Sequence, residues 1–286
     1  MNWNSLTSSI SQAKSYIGIL NKNAAIPIPE IRVPQYTEEK PDTEGNYYGP
    51  FTGNQGGCFD GRYFYQSVLK YCYNKGEQYA GCHYVNNEKN IVRIVKYDIL
   101  EKKVVAVSKE MDCLNHINDI TYNSKTGQLV VCNSTGNKKK ISFLNADTLE
   151  YEGYKWLNIE IYAIDYHAAS DRYVLGVSSS RRFAIASSDF EDIRIDYGEL
   201  EPPRSYTKQN ICCNDEYVYC LYSGKKGWKD AVFVYDWEGH FVTFIELDFG
   251  EEEPENLSVH NGALFVGTGN HKQVFFYNIS GLKMLK

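Results

Sequence analysis

The sequence lacks the features of several large classes of protein. No apolar run in its 286 residues approaches the roughly 18 residues that a membrane-spanning helix needs, so we expect no membrane span. The N-terminal stretch MNWNSLTSSISQAKSYIGIL has neither a basic segment nor a continuous apolar core, so we expect no secretory signal. No Gly-rich phosphate loop opens a helix and no G-x-S-x-G elbow is present, which argues against nucleotide-binding folds and serine nucleophile chemistry.

Metal-binding cysteine pairs and excess basic charge are also missing. The eight cysteines form no C-x-x-C pair and no Cys/His set with zinc spacing. The formal net charge is -6 and the pI is near 5.6, which disfavours nucleic acid as a partner. We therefore expect no metal and no cofactor. Most cysteines lie in apolar runs, which predicts buried thiols in a reducing compartment and favours the cytoplasm, with a cell surface or a virion as the alternative.

Tyrosine, by contrast, is abundant. There are 24 Tyr against 3 Met, and aromatic residues make up 14% of the chain, which favours β-strands. From Asn54 onward, a unit of four short strands repeats roughly every 45 residues. Its second strand recurs as RYFYQSVLKY, QLVVCN, RYVLGVS, EYVYCLYS and ALFVGTG. A four-stranded unit at this period is typical of a β-propeller.

We predict an all-β, five-bladed β-propeller of four-stranded antiparallel blades over residues 28–286. The last unit stops after its third strand, so we expect Pro29–Tyr36 to supply the fourth strand and close the ring, which avoids a bare sheet edge. A long insertion in the first unit, CYNKGEQYAGCHYVNNEKN, leaves six blades open as an alternative. The five units begin near Asn54, Asn118, Tyr162, Gln209 and Glu255.

Residues 1–27 are predicted to form a short N-terminal helix and a linker. Apolar residues recur there at alternating spacings of four and three, which is typical of an amphipathic helix. This apolar stripe either packs on the propeller or joins protomers through self-association, and the sequence leaves both open. Its members are Leu6, Ile10, Ala13, Ile17 and Leu20.

Polar residues open the first strand of most units. In a propeller these strands line the central channel, so we expect the polar side chains to meet at its mouth. Strand interiors disfavour Asn and Asp, so such a ring needs water, mutual hydrogen bonds or a ligand. The sequence does not decide between a water-filled channel and a ligand site. Aligning the units brings together Gln55, Asn118, Tyr162, Gln209 and Glu255, and one residue later Gly56, Asp119, Ala163, Asn210 and Asn256, with His116 and Glu160 just upstream.

The loops between second and third strands open on the same face and carry Lys and Arg. Such cations suit a phosphate-bearing or otherwise anionic polymer. We include Lys226 as a cation of this kind and Trp228 as an indole that stacks on a sugar or clamps a ligand, with an anchor for its own loop as the alternative. Two acidic loops, GELEPP and FGEEEPE, open on the same face, so this face carries charges of both signs. The basic loops are GNKKK (136–140), SRR (180–182), GKKGWK (224–229) and NHK (270–272).

The order of these motifs resembles a family of five-bladed propellers. The stretches are NQGG, LNHINDITYN, KQNI…YVYCLYS, VFVYDWEG and EEPENLSV…ALFVG, from Asn54 to about Ile279. This family includes receptor-binding proteins of certain staphylococcal phages and proteins labelled teichoic acid biosynthesis protein C-like. The resemblance implies recognition of a cell-wall or similar glycopolymer through the propeller face. Its most specific residues are His116, Asn118, Asp119, Gln209 and Glu255.

Two functions compete at this point. The first is a non-catalytic binding module for a carbohydrate or polyol-phosphate ligand. The second is a glycoside hydrolase, which needs two carboxyls about 5–10 Å apart. A calcium-dependent nucleotidase ranks last, because no compact set of calcium ligands is present. The candidate catalytic carboxyls are Asp119, Glu160, Asp165 and Glu255, of which Asp165 aligns with Thr121 and has a structural role as its alternative.

Overall fold

The computed structural model describes residues 25–27, 47–73, 90–133, 137–198, 202, 204–224, 229–247, 253–270 and 273–278. Every regular element in these ranges is a β-strand, so the predicted all-β class is confirmed. Within the same ranges, no helix has the length and apolarity to cross a bilayer. The predicted N-terminal helix, residues 74–89 of the insertion at 72–90, Lys226 and Trp228 lie outside the described residues.

The described strands form five antiparallel sheets of four strands each, numbered along the chain. The first sheet contains β2 (Tyr47–Phe59), β3 (Tyr63–Tyr73), β4 (Ile91–Asp98) and β5 (Lys103–Val107). The second contains β6 (Ile117–Asn123), β7 (Gln128–Asn133), β8 (Lys140–Asn145) and β9 (Tyr151–Trp156). The third contains β10 (Ile161–His167), β11 (Arg172–Val177), β12 (Phe183–Ser187) and β13 (Ile193–Tyr197).

The fourth sheet contains β14 (Tyr206–Cys213), β15 (Tyr217–Gly224), β16 (Asp230–Asp236) and β17 (Phe241–Leu247). The fifth contains β18 (Pro254–His260), β19 (Ala263–Asn270), β20 (Gln273–Asn278) and, as its fourth strand, β1 (Ala25–Pro27). In the first four sheets, spatial order follows chain order. The fifth combines the two ends of the described chain, because β1 pairs with β20.

The first strands of the sheets lie next to one another in a cycle. β2 contacts β6, β6 contacts β10, β10 contacts β14, β14 contacts β18, and β18 contacts β2. A separate apolar cluster fills each space between successive sheets. The space between the fifth and first sheets is filled by residues such as Phe265 and Phe64. These packed layers around one axis define a propeller-like fold.

Each first strand carries a β-bulge, which lies in the first half of β6, β10, β14 and β18 and in the second half of β2, where two other shifts precede it. The pairing with the second strand shifts between Asn54 and Gly57, and between Ile117 and Asp119. The other three shifts lie between Ile161 and Ala163, Lys208 and Asn210, and Pro254 and Asn256. A bulge re-aims the displaced residue. The displaced residues are those that the alignment of the units brings together, Gln55, Asn118, Tyr162, Gln209 and Glu255.

The fourth strand of the fifth sheet does not lie where the sequence placed it. The strand that pairs with β20 is Ala25–Pro27, whereas the prediction was Pro29–Tyr36, which falls outside the described residues. Proline has no backbone N–H to donate and is therefore tolerated on an edge strand. Pro27 occupies such an edge, and β1 falls inside the range that was assigned to the helix and linker.

Gly56 provides a test of the close approach between β2 and β6. A Cβ at this position would lie 2.5 Å from the Cα of Asp119 and 2.7 Å from the carbonyl oxygen of Asn118. Backbone atoms on both sides cannot give way, so we expect Gly56→Ala to lower the free energy of unfolding by about 3 kcal/mol in urea titrations.

The matched control is Gly127→Asn. Gly127 has a φ of +70° and no neighbouring atom within 4 Å of a built Cβ. Asn tolerates this backbone conformation, so its effect should stay within about 0.5 kcal/mol. Equal stabilities of the Gly56→Ala variant and the wild type would show that the two strands do not approach as described.

Candidate functional site

One end of the channel brings together the loops that enter the first strands and the loops between second and third strands. The backbone N–H of Ile161 donates to the carbonyl of Lys138 at 3.0 Å, and that of Ser178 donates to the carbonyl of Glu160 at 2.8 Å. We call this end the mouth. The predicted basic loops of the second and third sheets therefore adjoin the beginning of β10.

Asn118 ties three first strands together just inside the mouth. Its amide nitrogen donates to the carbonyl of Tyr162 and to the carbonyl of Gln209, both at 2.7 Å. Both carbonyls belong to bulged residues, where the regular ladder of hydrogen bonds is interrupted. The Asn118 side chain therefore supplies partners that β10 and β14 cannot supply to each other.

Asp119 forms the next cross-link. Its carboxyl accepts hydrogen bonds from the backbone N–H of Ile120 at 2.8 Å, from that of Ile164 at 2.9 Å and from the amide of Asn210 at 2.7 Å. Burial raises the pKa of Asp119 well above its ordinary value, the charge of Asp165 adds to this, and the three donors oppose it. With both oxygens occupied, the carboxyl acts as a structural link.

Three further predicted ligand residues also lie in the interior. The Asn256 amide donates to the carbonyl of Gly57, which joins β18 to β2. Asn210 is fully buried beside Asp119. The Tyr162 ring lies in the apolar cluster between the third and fourth sheets and packs against Gly176. The structure therefore places these side chains beneath the mouth, not on its surface.

Glu255 and Gln209 lie at the mouth. Glu255 is partly exposed, and burial together with the charge of Glu253 raises the pKa of its carboxyl well above the ordinary value. Among the residues that the structure describes, no hydrogen bond or ion pair engages this carboxyl. The amide of Gln209 donates to Glu253 at 2.6 Å. Glu255 is therefore a polar group that is open to a ligand.

His116, Glu160 and Gln55 complete the predicted set. Burial lowers the pKa of His116 to about 4, so its ring is neutral at neutral pH and adds no positive charge. Its Nδ1 lies 3.3 Å from the amide nitrogen of Asn90. The side chain of Glu160 is exposed, and Gln55 is buried with its carbonyl accepting from the amide of Gln66.

Lys208 is a mouth residue that the sequence analysis missed. Its ammonium donates to the carbonyls of Val177 at 3.3 Å, of Ser180 at 3.1 Å and of Ser178. Burial, with the like charges of Arg181 and Lys138, lowers its pKa to about 8. A signal was present. The residues that directly precede the bulged positions are Asn54, Ile117, Ile161, Lys208 and Pro254. Lys208 is the only charged residue in this set.

Asp165 belongs to a deeper layer. Its carboxyl accepts from the hydroxyl of Thr121 at 2.7 Å and from the backbone N–H of Cys213 at 2.9 Å, while burial raises its pKa. The aligned positions 121 and 165 are thus bonded to each other. As with Asp119, these contacts give Asp165 a structural role.

The channel continues beyond Asp119 as a cavity of about 310 Å³. All five first strands line it with their later residues, and the Asp119 layer separates it from the mouth. No residue of this cavity except Asp119 and Asp165 was a candidate from sequence. Its polar wall includes Thr121, Asp165, Cys213, Asn214 and Ser258.

The described part of the chain offers few groups for metal binding or thiol chemistry. No group of three His, Cys, Asp or Glu side chains there is placed to hold a metal ion. Six described cysteines are free thiols, of which Cys113 is exposed and the other five are buried. Burial raises the pKa of Cys132 and Cys212 well above the ordinary value, which leaves both thiols protonated and unreactive.

Comparison with known proteins supports the fold. No protein-family model and no curated protein matches the sequence. The glutaminyl cyclase of Myxococcus xanthus superposes with a TM-score of 0.52 at 12% identity, covering 79% of this chain and 91% of that chain. A chain of a nidogen/laminin complex gives 0.50 at 10% identity, covering 77% and 73%. At these identities the likeness shows a propeller-like fold alone, and neither neighbour belongs to the family that the motifs resemble.

Glu255 gives a pH-dependent test of the mouth. Because its pKa is raised in the folded protein, the folded state binds more protons than the unfolded chain at pH values above the ordinary 4.5. Wild-type stability should therefore fall as pH rises from that value through the folded pKa. Glu255→Gln removes this decline and should be more stable than the wild type at pH 7 by about 1 kcal/mol or more.

Urea unfolding at several pH values from 4 to 8 measures the effect. Glu150→Gln, which alters an exposed carboxyl before β9, is the control and should leave the pH profile unchanged. Parallel pH profiles for Glu255→Gln and the wild type would contradict a raised pKa of the Glu255 carboxyl.

Proposed function

We propose that the five sheets are the blades of a closed five-bladed β-propeller and that its mouth binds a carbohydrate or an anionic glycopolymer without turning it over. The cycle of contacts among the first strands supports the closed ring, as do the five apolar clusters between successive sheets. Repeated blades around one channel present a shallow polar surface at its mouth, which suits an extended polymer.

One observation carries the binding proposal. The carboxyl of Glu255 is partly exposed and without a described partner, and it lies beside a layer in which Asn118 and Asp119 hydrogen-bond neighbouring strands to one another. A rigid layer of this kind holds a mouth group in place before a ligand arrives, which reduces the entropy lost on binding.

The charges of the mouth favour a polymer with phosphate groups. Lys208, Arg181 and Lys138 lie close enough for their charges to act on one another, while Glu253 and Glu255 form a separate acidic region. A polyol phosphate offers hydroxyls to the carboxyls and phosphates to the cations. The family resemblance of the motifs supports the same class of ligand.

A thermal-shift screen with glycerol-phosphate and ribitol-phosphate polymers and neutral oligosaccharides tests this function. A ligand at 100 times its dissociation constant should stabilise the protein by about 2.7 kcal/mol. Glu255→Ala should weaken binding about tenfold, since a hydrogen bond to a charged or polar group is lost. Asp215→Asn, at the far end of the channel, should not change the affinity.

The outcomes separate the two ends of the channel. No shift with any of these ligands would refute a glycopolymer site. A loss of affinity in Asp215→Asn alone would place the ligand in the far cavity.

A glycoside hydrolase is the second candidate, and the raised pKa of Glu255 favours it. A carboxyl whose pKa is raised keeps its proton to higher pH and is therefore suited to act as a general acid. Two of the four candidate carboxyls, Asp119 and Asp165, are engaged in links between strands, so the partner would have to be Glu160.

Turnover distinguishes the hydrolase from the binding module. If Glu255 is the acid, Glu255→Gln should lower kcat at least about 100-fold and leave affinity nearly unchanged. Oligosaccharide cleavage by the wild type that persists in Glu255→Gln would exclude Glu255 as the acid, and an inactive wild type would exclude the hydrolase.

A further inference from the structure

A cationic cluster lies beside the mouth, between the third and fourth sheets. Arg181, in the loop after β11, has its guanidinium 6.0 Å from the ring centre of Tyr222, whose hydroxyl donates to the Arg181 carbonyl at 3.0 Å. The residue is partly exposed. Among the described residues, no carboxylate pairs with this guanidinium, and its buried Nη1 has no hydrogen-bond partner. Tyr222 therefore holds in place a cation that has no anionic partner in the described part of the chain.

Ser178 adds a second unused donor to the same loop. Its buried hydroxyl has no partner in the described structure. Its backbone is fixed on both sides, because its N–H donates to the carbonyl of Glu160 and its own carbonyl accepts from the ammonium of Lys208. Buried polar groups without a partner are uncommon in folded proteins, so these two donors in one loop are suited to bind a ligand.

Lys208 contributes charge to this cluster, not hydrogen bonds. Its three N–H groups are directed at three carbonyls of the loop, so it holds the loop in position. The charged groups that act on it are Arg181 and Lys138, both cationic. Glu160 lies on the neighbouring strand entry with an exposed side chain and forms no described ion pair with these cations. Among the described residues, no carboxylate pairs with Lys208 or Arg181 to offset the repulsion between them.

We propose that this cluster is an oxyanion subsite that binds a phosphate group. The Arg181 guanidinium and the Ser178 hydroxyl donate to the phosphate oxygens, and Lys208 and Lys138 balance its charge. Guanidinium groups match phosphate with two parallel hydrogen bonds, which neutral sugars cannot offer. The subsite rests on the proposed function only for the source of the phosphate, which is either the polymer or free inorganic phosphate.

Calorimetric titration of the full chain with inorganic phosphate tests the subsite. Arg181→Gln should weaken phosphate binding about tenfold or more, and Arg181→Lys should recover only part of it, because an ammonium cannot form the paired hydrogen bonds. Arg172→Gln is the matched control, since Arg172 is an exposed arginine at the opposite end of β11. Unfolding curves show that each variant is folded. Equal affinity in Arg181→Gln and the wild type would overturn the proposal.

Sulfate provides a second measurement, because its charge is constant from pH 6 to 9. Lys208 has a pKa of about 8, so wild-type affinity for sulfate should fall as pH rises through that value. Lys208→Arg keeps its charge and should abolish the fall. A wild-type profile that is flat over the whole range would show that Lys208 does not act on the anion and would overturn its role.

Titration with a glycerol-phosphate oligomer separates this subsite from the wider function. Phosphate binding that depends on Arg181, with no binding of the oligomer, would support the subsite and refute the polymer. Oligomer binding that is equal in the wild type and Arg181→Gln would support the polymer and refute the subsite.

Discussion

The structure depends on a set of hydrogen bonds that cross its axis. The first strands of neighbouring sheets lie side by side but form no backbone ladder with each other, and buried N–H and C=O groups need partners. Asn118 and Asp119 provide these partners from β6, reaching β10 through Ile164 and β14 through Asn210. Each sheet alone can pack its faces, but side chains such as these, together with Asn256 and Asp165, connect the backbones of different sheets at the centre.

This cross-linked layer divides the channel into two regions of different character. Towards the mouth, polar groups such as Glu255 are partly exposed and retain the capacity to bind a ligand. Beyond the layer lies a cavity of about 310 Å³, in whose wall the carboxyl of Asp165 is already engaged by Thr121 and Cys213. The division therefore explains why polar residues of the same strands, only a few positions apart, are suited to different roles.

Much of the fold could be predicted from the sequence, because strand alternation and turns are local and repeat with one period. Aligning the repeats also brought the bulged positions into register, such as Asn118 and Gln209, because each bulge falls at the same place in its unit. The alignment did not separate the mouth from the interior, since which of two adjacent polar residues faces inward is decided by the partner strand. The closing strand was misplaced for a related reason. Residues 25–27 and 29–36 are both compatible with an edge strand, and only pairing with β20 distinguishes them.

The pKa values of two mouth residues, Glu255 and Lys208, are shifted in opposite directions. Burial raises the pKa of Glu255 and lowers that of Lys208, so both are pushed towards their neutral forms. Neighbouring like charges act in the same sense on each, Glu253 on the carboxyl, and Arg181 and Lys138 on the amine. An anion bound near Lys208 reverses the effect there, because it favours the ammonium and raises its pKa. Binding of an anionic ligand above pH 8 should therefore be accompanied by proton uptake, whereas a neutral sugar at Glu255 leaves Lys208 unchanged, so proton linkage reports which part of the mouth the ligand occupies.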